Sequence, residues 1–189
     1  MARLFVALDL SGAAGAIAAL RAPIEGIRWT AAEALHVTLR FVGEVDDRRG
    51  DDLAARLAEV RGAPLDLSLR GTGLMGRPPR LAFAGVAPTP ALLALHAAVE
   101  AAVVAGGVAP DPRAFHPHVT VARSRGGDRR ALREWAERHR DLASPPLPVD
   151  AFHLVESRSG PGGAVHHRIA TYALSPGDPA AASHREAVR

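Results

Sequence analysis

The sequence predicts an α+β protein that is internally duplicated and bilobal, with two antiparallel sheets flanking a central cleft and helices on the outside. Three observations predict it. A four-residue phrase occurs twice, as His36-Val37-Thr38-Leu39 and His118-Val119-Thr120-Val121, 82 residues apart. Each copy lies in apolar–polar alternation of period two, the pattern of a half-buried strand. Around each copy, strand-like runs alternate with helix-like runs, and a 48% apolar content over 189 residues can bury a core of ordinary size. Residues 1–175 read as one domain and 176–189 as a loose tail.

The elements follow in order. RLFVALDL at 3–10 is an apolar strand, after which Ser11 can cap an alanine-rich helix over about 12–24 carrying Ile17, Leu20 and Ile24. A short strand at 27–30 precedes the first phrase, whose strand stops at Gly43. Asp46-Asp47 open a charged amphipathic helix through Leu53, Leu57 and Val60, and Gly62 and Pro64 end it. Residues 65–75 and 77–86 read as a hairpin. Leu92, Leu95, Val99 and Val103 line one face of a helix over 89–105, on which His96 reads as a surface or packing residue. A loop at 106–113 leads to the second phrase in a strand over 114–123. A helix near 128–141, a loop at 142–148 and a last hairpin of 149–159 and 166–175 around the glycine-rich turn at 160–163 complete the domain.

The repeated phrase carries the chemistry. Residues i and i+2 of a strand share a face about 7 Å apart, so His36 stands beside Thr38 and His118 beside Thr120. With nine histidines and six threonines, His-x-Thr is expected about 0.3 times by chance, and two copies have a probability of about 0.03. One copy alone would read as a buried histidine satisfied by a hydroxyl. Two imidazoles serve displacement at phosphorus, where one proton leaves the attacking oxygen and another reaches the departing one. Two hydroxyls can hold the non-bridging oxygens. Strict alternation puts Arg40 on the face of His36, and puts Arg123 on the face opposite His118 unless the strand bends. Phe41 and Phe115 are candidates for stacking on a base.

These motifs, with RLFVALDL at the start, Arg28-Trp29, LHVTLRFVGEV, FHPHVTVAR and Glu156-Ser157-Arg158 before Gly160-Pro161-Gly162-Gly163, resemble the 2H phosphoesterases. Within that superfamily the likeness is to the bacterial and archaeal RNA 2′,3′-cyclic phosphodiesterases, first named 2′-5′ RNA ligases, and it spans about residues 3–175. The resemblance implies a LigT-like bilobal fold and hydrolysis of RNA 2′,3′-cyclic phosphate ends to 2′-phosphomonoesters, without metal or cofactor. It implies His36 as proton donor, His118 as proton acceptor, Thr38 and Thr120 on the phosphate and Arg123 at the cleft. The reverse step would join RNA ends by a 2′-5′ bond without ATP. From the residues alone the two histidines are interchangeable. Where the family has a leucine before the glycine-rich turn and a tyrosine after it, this chain has Ser159 and His166.

The remaining features bound the answer. No cysteine is present, which removes disulfides, thiolate zinc sites and cysteine nucleophiles. Asp9 interrupts the N-terminal apolar run too early for a secretory leader, and no run approaches the ~20 apolar residues of a membrane helix. The expectation is a soluble, cytoplasmic monomer acting on RNA with cyclic phosphate ends, tRNA fragments being one candidate. All basic residues are arginine and the net charge is +3, compatible with an RNA partner without pointing to one. His116, His118 and the pair His166-His167 could be imagined around zinc, but no carboxylate stands at ligand spacing from them. Two rival functions are a phosphodiesterase for a small nucleotide or ADP-ribose cyclic phosphate, and a module that binds RNA ends without turnover.

Overall fold

A computed structural model describes residues 1–160 and 163–175. The tail expected at 176–189 and two residues of the glycine-rich turn, Pro161 and Gly162, lie outside the described residues. The strands are β1 (Ala2–Asp9), β2 (Ile27–Trp29), β3 (His36–Val45), β4 (Leu65–Leu67), β5 (Leu69–Met75), β6 (Leu81–Val86), β7 (His118–Ser124), β8 (Leu147–Val149), β9 (Ala151–Gly160) and β10 (Gly163–Ala173). The helices are α1 (Ala14–Ala18), α2 (Asp47–Leu57), α3 (Pro90–Ala105) and α4 (Arg129–Arg138).

Four antiparallel strands, β10-β9-β1-β3, form one half of the molecule, and β5-β6-β7-β2 form the other. The halves meet where the two motif strands touch, at the single pair Val37–Val119. A separate two-stranded ribbon pairs β4 with β8, Leu65 with Val149 and Leu67 with Leu147. The duplication is visible in the numbering of both contacts: Val37 and Val119 are 82 apart, as are Leu65 and Leu147, and Leu67 and Val149. The helix caps keep the same offset, because Asp46 accepts the amide of Arg49 at the start of α2 and Asp128 accepts those of Arg130 and Ala131 at the start of α4.

The strands of matching rank are exchanged. After α2 the chain enters β5, which pairs with β6 of the later half, whereas after α4 it enters β9, which pairs with β1 of the earlier half. The ribbon of β4 and β8 is where the two crossing segments pass.

Alternation decides which side of each strand is buried. Leu4, Val6, Leu8, Val37, Leu39, Val119, Val121, Phe152 and Leu154 face the helices, meeting Leu53, Leu57, Leu92, Leu95, Val99, Val103, Leu132 and Trp135 in one continuous core. On the opposite face Phe5, Ala7 and Val155 make a separate small cluster, and this is the side that bears the motif residues.

Two expectations are corrected. The helix placed over 12–24 is a 3-10 turn, Ser11–Ala13, followed by only five α-helical residues. Ser11 does not cap it; Asp9 accepts the Ser11 amide at 2.7 Å. The carbonyls of Leu20 and Ala22 are taken by the indoles of Trp135 and Trp29, and Pro23 lacks an N–H, so the helical ladder stops there. The run at 65–75 is broken after Leu67, because its first part is drawn to β8, a strand within what read as a loop.

Candidate active site

Val37 and Val119 are fully buried on the helix side and pair across the antiparallel seam. Their neighbours in both strands therefore turn the other way, which puts His36, Thr38, His118 and Thr120 together on the open face. In this antiparallel register His36 lies diagonally across from His118, each facing the other strand's threonine. Only this one pair is bridged between the two strands.

The two imidazoles are held alike. His36 Nδ1 bonds the carbonyl of Ala34 at 2.8 Å, and His118 Nδ1 bonds the carbonyl of His116 at 2.7 Å. A carbonyl only accepts, so Nδ1 carries the proton in both rings and Nε2 is left facing the cleft, free to take or give one. Each ring also rests in an aromatic trio. Phe5, His36 and His166 have centroids 5.0 to 5.1 Å apart, and Phe83, His116 and His118 have centroids 5.4 to 5.8 Å apart. Phe83 lies directly over Gly73 of β5, where a Cβ would fall 2.4 Å from its ring, so that glycine is what lets the ring reach His118, which it meets edge to face.

Burial lowers the basicity of both histidines. His36 is pushed down to about 4, by loss of solvent first and then by repulsion from His166, Arg123 and His118, against the support of its bond to Ala34. His118 is lowered by burial and by His116 and Arg123. His166 is lowered as well, by burial and by Arg123. Arg123 repels His36, His118 and His166 alike, and an anion bound among them would relieve all three.

A bulge follows each motif at equivalent residues. The β1–β3 register steps from Ala7–Thr38 to Val6–Arg40, leaving Leu39 unpaired, and the β6–β7 register steps from Phe83–Thr120 to Ala82–Ala122, leaving Val121 unpaired. Alternation slips by one beyond each bulge. Arg40, expected on the face of His36, is therefore turned into the helix side and is 6% exposed. There it forms an ion pair with Glu100 of α3, approaches Asp111 at 3.7 Å and donates to the carbonyls of Phe41 and Ala109. The same slip brings Phe41 to the cleft side, its ring 6.1 Å from Phe5. Arg123 is turned to the side of His118, close enough to act on both motif histidines. Phe115 is not available to a base: His96 of α3 stacks on its ring at 3.9 Å, nearly parallel, and the side chain packs against the main core.

The structure adds residues that the sequence left unassigned. A cleft of about 110 Å³ beside His36 is lined by Phe5, Asp9, His153, Val155, His166 and Arg168 among others. Arg168 pairs with Asp9 at 2.8 Å, and His153 bonds Thr171 Oγ1 at 3.0 Å. The alternation of RLFVALDL held the signal, since Phe5, Ala7 and Asp9 share one face. Among the described residues no three histidine, aspartate or glutamate side chains converge as a metal site would require.

Repeated His-x-Thr strands around one seam, on exchanged antiparallel halves, define a phosphoesterase class. The profile of the 2′-5′ RNA ligase superfamily, the 2H phosphoesterases, matches residues 10–161, and the chain belongs to that superfamily of enzymes. Among curated relatives, the RNA 2′,3′-cyclic phosphodiesterase of Aeropyrum pernix is 34% identical over 136 residues, covering 68% of this chain and 77% of its own. That of Thermotoga maritima is 29% identical over 147 residues, covering 75% and 76%. A crystal structure from Thermus thermophilus matches with a TM-score of 0.76 at 27% identity, over 93% of this chain and 100% of that one. E. coli LigT complexed with 3′-AMP matches with a TM-score of 0.71 at 26% identity, over 93% and 99%.

Proposed function

We propose that the protein hydrolyses RNA 2′,3′-cyclic phosphate ends to 2′-phosphomonoesters, with His36 and His118 as acid and base. The observation that carries this is the seam: the Val37–Val119 pair puts two imidazoles with free Nε2 atoms and two threonine hydroxyls on one face of adjoining strands. Water attacks phosphorus as its proton passes to His118 Nε2; the bond to the 3′ oxygen breaks as His36 Nε2 delivers a proton there. Thr38 and Thr120 donate to the non-bridging oxygens, where charge develops. Run backwards with a 5′-hydroxyl in place of water, the same groups join two RNA ends by a 2′-5′ bond.

The direction of proton flow comes from the family likeness, and the burial of His36 constrains how it works. A histidine held near 4 is neutral in the free enzyme, so His36 acquires its proton when the anionic phosphate binds beside it and offsets the repulsion from Arg123 and His166. The substrate thus charges its own acid. Phe41, half exposed and backed by the buried Phe5, offers an apolar ring for the terminal base, and Arg123 a cation for the phosphate. The enzyme would work as a cytoplasmic monomer; no helix among the described residues is long and apolar enough to cross a membrane.

Phosphorus NMR of the product from a cyclic-ended oligonucleotide tests the assignment. A 2′-phosphate is expected, in the presence of EDTA as in its absence. A 3′-phosphate would show that the leaving oxygen is the other one. Turnover of cyclic mononucleotides or ADP-ribose cyclic phosphate in preference to the oligonucleotide would favour the small-substrate alternative, and binding without turnover the non-catalytic one.

A further inference from the structure

A pocket of about 330 Å³ lies at the end of β7 remote from His118, lined by Pro78, Pro79, Arg80, Ser124, Arg125, Gly126 and Arg129. It touches none of the groups assigned above. Its three arginines are exposed, and among the described residues none is within ion-pair distance of a carboxylate. Three unpaired cations around one hollow raise the local positive potential, which a bound anion would offset.

The walls are held in place by backbone. Ser124 N–H donates to the Arg80 carbonyl at 2.9 Å, Arg125 N–H to that of Gly26 at 3.0 Å and Asp128 N–H to that of Glu25 at 3.2 Å. Gly127 sits so close to Glu25 that a Cβ would fall 1.9 Å from its carbonyl oxygen, which fixes the loop against that segment. Arg129 occupies the first turn of α4, immediately after the capping carboxylate of Asp128, which is engaged by the amides of Arg130 and Ala131.

The pocket is also placed in line with the cleft. Seven residues of extended chain separate His118 from Arg125, about 23 Å at 3.3 Å per residue, and Arg123 stands between them on the cleft side. We infer that this pocket is a second phosphate site for the body of a single-stranded RNA whose 3′ end lies between His36 and His118, with Arg80, Arg125 and Arg129 taking backbone phosphates several nucleotides upstream. The inference rests on the reading of the cleft as an RNA-end site. It makes the enzyme one that distinguishes oligonucleotides from mononucleotides by their length.

The test compares the wild type with Arg125→Gln/Arg129→Gln on two cyclic-ended substrates, a mononucleotide and a strand of about ten nucleotides. For the long strand the double variant should raise KM about tenfold at ~0.1 M salt, leave kcat unchanged and lower the slope of log KM against log salt by about 1.4, the value for two phosphate contacts on a single strand. The mononucleotide should be unaffected. Fluorescence anisotropy of the same strand ending in a 2′-phosphate reads the site without turnover. An unchanged slope and unchanged binding would overturn the inference, as would an equal loss on both substrates. Arginine-dependent binding of the long strand with no turnover of either substrate would instead sink the catalytic reading and leave the second site standing.

Discussion

Residues 82 apart occupy matching places in the two halves, yet just past the bulge they differ in chemistry. Arg40, buried against Glu100 and Asp111, stands where the other half has the buried Ala122, and Phe41 stands at the cleft where the other half has Arg123. The backbone device is the same: a histidine, a threonine, an unpaired bulge residue and a slip of alternation. What differs is what the slip delivers to the cleft, an aromatic ring on one side and a cation on the other. Duplication supplied two equivalent histidine–threonine pairs, and the position after the bulge is where the two sides of the cleft become chemically different.

The largest effects should come from the pair that the halves share. His36→Ala and His118→Ala should each lower kcat by about 10²-fold or more while the protein stays folded, as removal of a general acid or base does. A variant that unfolds but keeps its specific activity per folded molecule would show that the histidine was structural. The pH profile then separates the two. Both histidines are shifted below the ordinary value, His36 to about 4, so the bell of kcat/KM, which reports the free enzyme, should peak below pH 6.5. The bell of kcat should lie at higher pH, because bound phosphate favours the protonated rings. Coincident profiles would contradict charging of His36 by the substrate.

Next comes the position where the halves diverge. Arg40→Met removes a buried cation and leaves Glu100 without its ion-pair partner, while Asp111 keeps Arg113, and should cost about 3 kcal/mol of stability in denaturant titration. Ala122→Met, which overfills the matching place, should cost about 1–3 kcal/mol through overpacking with no charge component, so its loss should not depend on pH between 4 and 8. The threonine pair should matter less than the histidines: Thr38→Val and Thr120→Val should each slow turnover about tenfold, the worth of one charge-assisted hydrogen bond. Smallest are the caps, where Asp46→Ala and Asp128→Ala should each lower stability by about 1 kcal/mol without touching kcat. A cap variant that lost activity would show that the helix start also positions the cleft.

Alternation made the motif strands, the three longer helices and both hairpins legible, since each depends on residues near in sequence. The bulges were not legible, because a bulge is defined by the register of a partner strand, and it decided Arg40, Phe41 and Arg123. Arg40 shows the consequence: strict alternation aimed it at the cleft and the skipped Leu39 turned it to the core. Phe115 failed for a related reason, its ring being covered by His96 from a helix about twenty residues earlier. The over-long first helix ended on indole bonds from Trp29 and Trp135, whose acceptors no local pattern specifies.

The exchange of β5 and β9 has a consequence for how the chain reaches this state. Neither half owns a complete sheet, since β1 and β3 lie beside a strand made last, and β6 and β7 lie beside one supplied before them. The first hundred residues therefore cannot settle as an independent lobe and wait for the rest. Melting should be one cooperative step without a half-folded intermediate, and refolding slow for the chain length, because the decisive pairings join residues about 150 positions apart. In a two-lobed enzyme built this way the halves are tied by the very strands that each borrows from the other.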